Sequence, residues 1–157
     1  MKTVTSSFEY RVLEYNELSD IQKQLVDHAR KATYRSYAPY SNFKVGASIL
    51  LSNDAIVDGA NQENAAFPAG TCAERSACFY AAAEYPDAKF KAIAIAARDA
   101  SDDFVVNPIS PCGVCRQALL EYETLAGHPV EVLLVGRDKI YAVKSVRDLL
   151  PFAFSEF

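Results

Sequence analysis

Three of the four cysteines in the sequence are spaced as metal ligands. Cys112 and Cys115 form a C-x-x-C pair at the start of one predicted helix, and Cys72 lies at the start of another. The exposed backbone N–H groups at a helix N-terminus favour thiolates there. Three protein ligands leave the fourth tetrahedral position of a zinc ion open for water, which is typical of a catalytic site. The spacing therefore predicts one zinc ion (Zn2+) per chain.

A carboxylate stands beside these predicted ligands. Glu74 follows Cys72 by two residues, where it can reach a water on the zinc rather than the metal itself. Zinc lowers the pKa of such a water toward about 7, and a neighbouring carboxylate can move its protons. Zinc nucleobase deaminases share this arrangement, with a His or Cys two residues before a Glu and a later P-C-x-x-C. We predict hydrolytic deamination of a small substrate, with Glu74 as the catalytic residue.

Redox dithiols and structural zinc knuckles also use a C-x-x-C pair. A structural zinc site needs four closed ligands, and the remaining candidates are Cys78, His28 and His128. Cys78 lies nearly two helical turns beyond Cys72 and is interpreted as a small core residue. His28 lies on an amphipathic helix and His128 in a turn, where surface histidines are common. These positions favour the catalytic interpretation over the other two.

Two arginines directly follow residues of the cysteine motifs, Arg75 after Glu74 and Arg116 after Cys115. Three thiolates give a zinc site a net negative charge, and charge-assisted hydrogen bonds from arginine to sulfur would withdraw part of it. We predict that both arginines lie beside the sulfurs and tune the metal. The alternative is that both are ordinary surface arginines.

Composition narrows the class of protein. A chain of 157 residues fits one domain. The net charge of -4 and the lack of a Lys/Arg cluster count against nucleic acid and anionic membranes as partners. No stretch approaches the ~20 apolar residues of a membrane span, and the N-terminus lacks the apolar core of a signal peptide. We therefore expect a cytoplasmic location, where thiols stay reduced.

Hydrophobic periodicity predicts the elements that must position these residues. Ser19 and Gln22 form a capping box for a first helix that ends near Ser36. One face of this helix is apolar and carries Ile21, Leu25, Val26, Ala29 and Ala32. Further helices are predicted at 72–85, at 112–125 and after Ser145, and strands at 45–51, 55–58, 90–97, 130–135 and 140–143.

Helices that interleave with strands predict a three-layer α/β/α sandwich. The hairpin at 45–58 makes the predicted five-stranded sheet mixed rather than purely parallel. Residues 19–157 are predicted to form this single domain, and residues 1–18 an N-terminal extension that is either an arm or an edge strand. The helix at 72–85 is apolar nearly all round, so we predict its burial between subunits, with a central helix of a monomer as the alternative.

Several ordered blocks resemble the cytidine deaminase family, of the short homotetrameric zinc type. The similarity runs from about residue 20 to Phe154, over blocks at 40–47, 61–65, 72–75, 110–117 and 149–151. It implies a cytidine deaminase-like fold and a homotetramer with shared active sites. It also implies deamination of cytidine and deoxycytidine to uridine and deoxyuridine with release of ammonia, in pyrimidine salvage.

The resemblance also implies substrate contacts. Asn61 and Glu63 match the pair that binds the sugar hydroxyls, and Phe43 matches the aromatic residue that packs against the pyrimidine. The backbones of Ala73 and Ser110 match groups that contact the base. Without the resemblance, Phe43 would be interpreted as core, and Asn61 with Glu63 as a polar turn.

Phe67 and Phe154 match aromatic residues that complete a neighbouring subunit's site. The chain departs from the family at Phe67, where tyrosine is common, and at Ala60 and Gln62, which replace a cysteine and an apolar residue. These departures bear on substrate preference and on subunit contacts.

Three rival functions follow from the same residues. A deaminase of another small heterocycle, such as blasticidin S, is disfavoured by the Asn61/Glu63 pair. A non-catalytic, zinc-stabilised binding module is disfavoured by Glu74. An editor of RNA or DNA is disfavoured by the acidic charge and the short loops.

Overall fold

The computed structural model describes residues 1–155 and gives this part of the chain three α-helices and six strands. In chain order these are β1 (Tyr10–Leu13), α1 (Asp20–Ala32), β2 (Lys44–Leu51), β3 (Ile56–Ala60), α2 (Ala73–Glu84), β4 (Phe90–Arg98), α3 (Gly113–Ala126), β5 (Glu131–Val135) and β6 (Ile140–Val143). Short 3-10 segments occur at Tyr15–Glu17, Thr33–Arg35, Phe67–Ala69 and Val146–Leu149.

The strands form one mixed sheet in the order β1-β6-β5-β4-β2-β3. Strands β4 and β5 are parallel, and the remaining neighbours are antiparallel. The mixed sheet is confirmed. It has six strands rather than the predicted five, because Tyr10–Leu13 of the N-terminal extension forms the edge strand β1 beside β6. Three of the four residues of β1 are exposed, so this strand lacks the buried, alternating pattern by which the others are recognised.

Helices cover both faces of the sheet, which confirms the predicted three-layer architecture. Strand β4 divides its side chains between the two faces: Ile93 and Ile95 pack with α2 and α3, while Ala94 and Ala96 pack with α1. The small side chains facing α1 let that helix lie close to the sheet. On the same face, an added Cβ at Gly46 of β2 would stand 2.3 Å from the Ala29 carbonyl oxygen.

Helix α1 begins as predicted. Ser19 Oγ accepts a hydrogen bond from the Gln22 backbone N–H, and the Gln22 side chain accepts one from Ser19 N. Ile21, however, is 40% exposed rather than part of the buried face, and Leu25 is the first residue of the helix that is buried. The buried apolar face of α1 therefore starts one turn later than the periodicity indicates.

Helix α2 is not buried all round within a single chain. Ala77, Cys78 and Ala81 are fully buried, but Phe79 and Tyr80 are 50% and 58% exposed. The expectation of a core helix in a monomer is therefore wrong for this side of α2, and an apolar surface is left uncovered in the single chain. None of the helices within residues 1–155 combines the length and the apolar character needed to cross a membrane.

Candidate active site

Three sulfur atoms meet where α2 and α3 begin. Cys72 and Cys112 are the N-cap residues of these helices, and Cys115 lies in the first turn of α3. The Cys72 and Cys112 sulfurs are 4.0 Å apart, those of Cys112 and Cys115 are 3.5 Å apart, and all three lie within 4.8 Å of one another. Zinc–sulfur bonds of about 2.3 Å in a tetrahedron place sulfurs roughly 3.8 Å apart. The donor set and its spacing thus fit a zinc ion.

Close packing of α2 on strand β3 helps to set this geometry. A Cβ at Gly59 of β3 would stand 2.4 Å from the Ala77 backbone nitrogen and 2.6 Å from the Ala73 carbonyl oxygen. Only a residue without a side chain allows the first turns of α2 to approach the sheet this closely. Since Cys72 caps this helix, Gly59 contributes to the position of one sulfur.

The pKa values of Cys72 and Cys115 are shifted in opposite directions. Hydrogen bonds from Cys115 and Arg75 lower the pKa of Cys72 to about 5, and the Cys115 contact is the larger cause. The same contact with Cys72, together with burial, raises the pKa of Cys115. The cluster therefore carries a thiolate at neutral pH and is electrostatically prepared for a cation.

Glu74 is a buried carboxylate beside the cluster. Its side chain lies in the first turn of α2 and is only 4% exposed. Burial is the largest cause that raises the pKa of Glu74, and the nearby Cys72 thiolate raises it further. A carboxyl group with a raised pKa is suited to taking up and releasing a proton near neutral pH.

Asn61 and Glu63 are tied to the sulfur cluster through the backbone. Tyr37 N donates to the Asn61 carbonyl at 3.0 Å, and Glu63 N donates to the Tyr37 carbonyl at 2.8 Å. Between them, Gln62 and Thr71 exchange two backbone hydrogen bonds, each of 2.9 Å. Thr71 directly precedes the first sulfur ligand, so a short hydrogen-bonded ladder connects the Asn/Glu pair to the metal side of the site.

The Asn61 amide is fixed by three contacts. Its Oδ1 accepts hydrogen bonds from Val45 N at 2.7 Å and from Ser36 Oγ at 2.5 Å. Its Nδ2 donates to the Phe43 carbonyl at 2.9 Å. These hydrogen bonds fix the orientation of the amide. The second N–H of Nδ2 remains available for a ligand.

The Glu63 carboxylate is held by the turn at residues 40–41. Its Oε2 accepts from Tyr40 N at 2.8 Å and from Ser41 N at 3.3 Å, and its Oε1 accepts from Ser41 Oγ. The Ser41 hydroxyl is the largest cause that lowers the pKa of Glu63. Glu63 is thus a fixed anion that offers only acceptor atoms.

A cavity of about 360 Å³ brings several of these residues together. Asn61, Glu63, Phe67, Cys72 and Arg75 all belong to its wall. The pair matched to a sugar site therefore opens into the same space as one of the sulfurs.

Comparison with known proteins gives the family. The sequence profile described as "Cytidine and deoxycytidylate deaminase zinc-binding region" matches residues 19–126. The chain belongs to this family. It is accordingly an enzyme of the deaminase type, and deaminases are hydrolases. Membership in a family of zinc-binding enzymes excludes the non-catalytic binding module as an interpretation.

Relatives of this family align over most of their length. A cytidine deaminase of Sporosarcina psychrophila is 36% identical over 137 residues, which cover 87% of this chain and 93% of the relative. A probable cytidine deaminase of Dictyostelium discoideum is 35% identical and covers 85% of this chain and 84% of the relative. The crystal structure of a cytidine deaminase from Burkholderia pseudomallei has a TM-score of 0.70 and 38% identity, over 83% of this chain and 97% of that one.

Within this deaminase site, the two arginines behave differently. Arg75 Nη2 donates to Cys72 Sγ at 3.8 Å, as the sequence predicts. Arg116 instead donates to the carbonyls of Pro111 and Leu149, both at 2.8 Å, and to Ser110 Oγ at 2.9 Å. The prediction that Arg116 donates to sulfur is wrong, because its guanidinium donates to these three oxygens instead. Arg116 joins the loop before α3 to the C-terminal segment.

The remaining predicted substrate residues are not part of this cavity's wall. Ala73 is buried and Phe43 is partly buried, while Ser110 lines a separate cavity of about 280 Å³ together with Arg116. Phe154 is 69% exposed, and its backbone exchanges hydrogen bonds with the Gln117 side chain at 2.7 and 3.3 Å. Within one chain, Phe154 is therefore held against Gln117 of α3 and is not part of the Asn61/Glu63 cavity wall.

Three residues that line this cavity or bind the Asn61/Glu63 pair have no role predicted from the sequence. Tyr40 lies in the cavity wall, with its ring edge-on to Phe67 at 6.4 Å between centroids. Ser41 binds Glu63, and Ser36 binds Asn61. Tyr40 and Ser41 belong to one of the family blocks, which is a signal that could have found them. Ser36 lies outside those blocks, and no pattern in the sequence marks it.

Proposed function

We propose that the chain catalyses the zinc-dependent hydrolytic deamination of cytidine and deoxycytidine to uridine and deoxyuridine, with release of ammonia. This reaction belongs to pyrimidine salvage. The observation that carries the proposal is a cavity whose wall includes Asn61, Glu63 and Cys72. Cys72 belongs to the three-sulfur cluster, which has the buried carboxyl of Glu74 beside it.

Cys72, Cys112 and Cys115 would hold one zinc ion per chain. The sulfur spacing of 3.5 and 4.0 Å and the family's zinc-binding region support this ligand set. When bound, the ion supplies Lewis-acid activation of water. Arg75 would compensate part of the negative charge of the thiolates through its contact with Cys72.

Glu74 is the proposed proton carrier. Its burial and its raised pKa allow it to hold a proton close to the reacting ring and to release it again. The ring atom that receives the proton is N3 of cytosine, and the departing group is ammonia. Phe43 would pack against the pyrimidine, and the backbones of Ala73 and Ser110 would contact its polar edge.

Asn61 and Glu63 would anchor the sugar. Asn61 has one free N–H and Glu63 has acceptor oxygens, so together they suit hydroxyl groups. Anchoring at the sugar orders the reacting ring without touching it. This pair also favours a nucleoside over blasticidin S, and the net charge of -4 favours a small substrate over an RNA or DNA strand.

We further propose a homotetramer with shared active sites, located in the cytoplasm. The uncovered Phe79 and Tyr80 on α2 support assembly, and so do Phe67 and Phe154, which are 80% and 69% exposed. A neighbouring chain would then receive Phe67 and Phe154 into its site. A reducing compartment would keep the cysteines as the free thiols that metal binding requires.

The decisive experiment is a substrate panel with ammonia release as the readout. Cytidine and deoxycytidine should both be deaminated, whereas cytidine 5′-monophosphate and blasticidin S should react poorly. The Glu74→Gln variant should keep its zinc and its fold while its turnover falls by about 10²- to 10⁴-fold. A preference for the nucleotide or for blasticidin S would replace the proposed substrate, and near-normal turnover of the Gln variant would remove Glu74 from the mechanism.

A further inference from the structure

The Ser36 hydroxyl lies behind the cavity and contacts a residue that lines it. Ser36 follows the 3-10 segment Thr33–Arg35 and is partly buried. Its Oγ donates to Asn61 Oδ1 at 2.5 Å, and Ser36 is not among the residues of the cavity wall. Any influence of this hydroxyl on a ligand must therefore pass through Asn61.

The hydrogen bonds that Asn61 already makes determine which group it can still offer to a ligand. An amide oxygen has two lone pairs and an amide nitrogen has two hydrogens. Val45 N and Ser36 Oγ occupy both lone pairs, and the Phe43 carbonyl takes one hydrogen. Asn61 can then offer a ligand one N–H donor and no acceptor.

Without the Ser36 hydroxyl, one lone pair of Asn61 Oδ1 would be open. A water or a substrate hydroxyl could then donate a hydrogen bond to Oδ1. This second binding orientation would compete with the one in which the hydroxyl accepts a hydrogen bond from Nδ2. Glu63 beside it is already restricted to accepting, because it is anionic and held by the turn at residues 40–41. With Ser36 present, the pair offers one donor and one acceptor with fixed roles.

We infer that Ser36 is a positioning residue that sets the donor character of Asn61 and thereby sharpens the site's selection for a sugar hydroxyl. This inference rests on the proposed nucleoside deamination. The surrounding structure keeps the Ser36–Asn61 contact in place, because Tyr37 N donates to the Asn61 carbonyl and Arg98 donates to Thr33 Oγ1 from the buried side.

The test is steady-state kinetics of Ser36→Ala with two substrates. With cytidine, KM should rise by about 2- to 10-fold, the usual worth of one neutral hydrogen bond, while kcat stays within about twofold. With 2′,3′-dideoxycytidine, which lacks the hydroxyls that Asn61 and Glu63 would bind, the same variant should leave kcat/KM unchanged. Ser36→Thr retains a hydroxyl and should restore most of the cytidine KM.

Two controls separate positioning from a general structural effect. Ser48→Ala removes a buried hydroxyl that donates to the Leu25 carbonyl, and it should lower stability without changing KM selectively. The double variant Ser36→Ala/Asn61→Ala should match Asn61→Ala alone, since a residue that acts through Asn61 has no effect once Asn61 is gone.

The outcomes distinguish this inference from the proposed function. Failure of the wild-type enzyme to deaminate cytidine would refute the proposed function, and the role of Ser36 would fall with it. Normal turnover by the wild type combined with an unchanged cytidine KM in Ser36→Ala would overturn the role of Ser36 alone. An equal loss with the dideoxy substrate, or additivity in the double variant, would assign Ser36 a structural role instead.

Discussion

At the scale of single residues, the sulfur cluster depends on cysteines with different environments. Cys72, Cys112 and Cys115 lie at helix N-termini and face one another. Cys78 is fully buried in α2, and burial raises its pKa to about 12, which makes it a poor metal ligand. Cys78 can therefore serve as the control cysteine in experiments on the thiols of the cluster.

The first prediction concerns zinc content. Cys112→Ala should lose the bound zinc and the activity, because it removes one of three ligands. Cys78→Ala should keep one zinc per chain and lose only stability, on the order of 1 kcal/mol for a small buried atom. Metal analysis of both purified variants tests this, and full zinc occupancy in Cys112→Ala would exclude the ligand set.

The second prediction compares the two arginines. Arg75→Gln should weaken zinc retention by about 10- to 100-fold, since it removes the hydrogen bond to Cys72 Sγ. Arg116→Gln should retain zinc normally but lower the Tm, because it leaves the Pro111 and Leu149 carbonyls without their donor. Competition with a chelator gives the first quantity and thermal unfolding gives the second. Equal zinc retention in the two variants would refute the assignment of Arg75 to the metal site and of Arg116 to a structural role.

At the scale of elements, backbone packing explains why α2 presents its first residues to the site. Gly59 lies outside the cysteine motifs in the sequence, but the close approach of α2 that it allows helps to position Cys72. Gly113, at the start of α3, differs, because a Cβ there would meet no atom within 4 Å. The two glycines form a matched pair for substitution.

The third prediction uses this pair. Gly59→Ala should destabilise the fold by about 1–3 kcal/mol, the usual cost of overpacking, and should reduce zinc retention by moving Cys72. Gly113→Ala should be tolerated, since alanine is the better helix former. Thermal unfolding with parallel zinc analysis provides the measurement. A Gly59→Ala protein with wild-type Tm and zinc content would show that α2 tolerates a shift.

The elements differ in how far they could be predicted. Helices α1 to α3 and strands β2 to β6 follow from apolar periodicity and capping residues, because each buries a continuous face. Two contacts with distant groups have no such pattern: the Leu149 carbonyl is 33 residues from Arg116, and the Asn61 amide is 25 residues from Ser36. Such partners are set by tertiary packing, so a single sequence identifies the sulfurs but not the groups that orient the rest of the site.

At the scale of the whole molecule, the single chain leaves apolar surface at α2. Phe79 and Tyr80 are adjacent and about half exposed, on the helix that also carries Glu74. The proposed assembly through this surface would bury both side chains.

The fourth prediction tests assembly. Light scattering of the wild type should give four times the chain mass of 17.3 kDa. Phe79→Glu should shift the mass toward smaller species and lower activity, because a charge cannot be buried there without cost. Ile21→Glu, at a 40% exposed position on α1, is the control and should leave the mass unchanged. A fully active wild-type monomer would contradict shared sites.

Strand β1 has a consequence for behaviour at high concentration. Without it, Ile140–Val143 of β6 would present unpaired N–H and C=O groups at the rim of the sheet, and such an edge can recruit strands of other chains into aggregates. The strand that covers it is only four residues long and carries Arg11, which pairs with Glu131 at 3.0 Å. Short length and charge both discourage a further strand from joining. We therefore expect β1 to protect this edge of the sheet from pairing with strands of other chains.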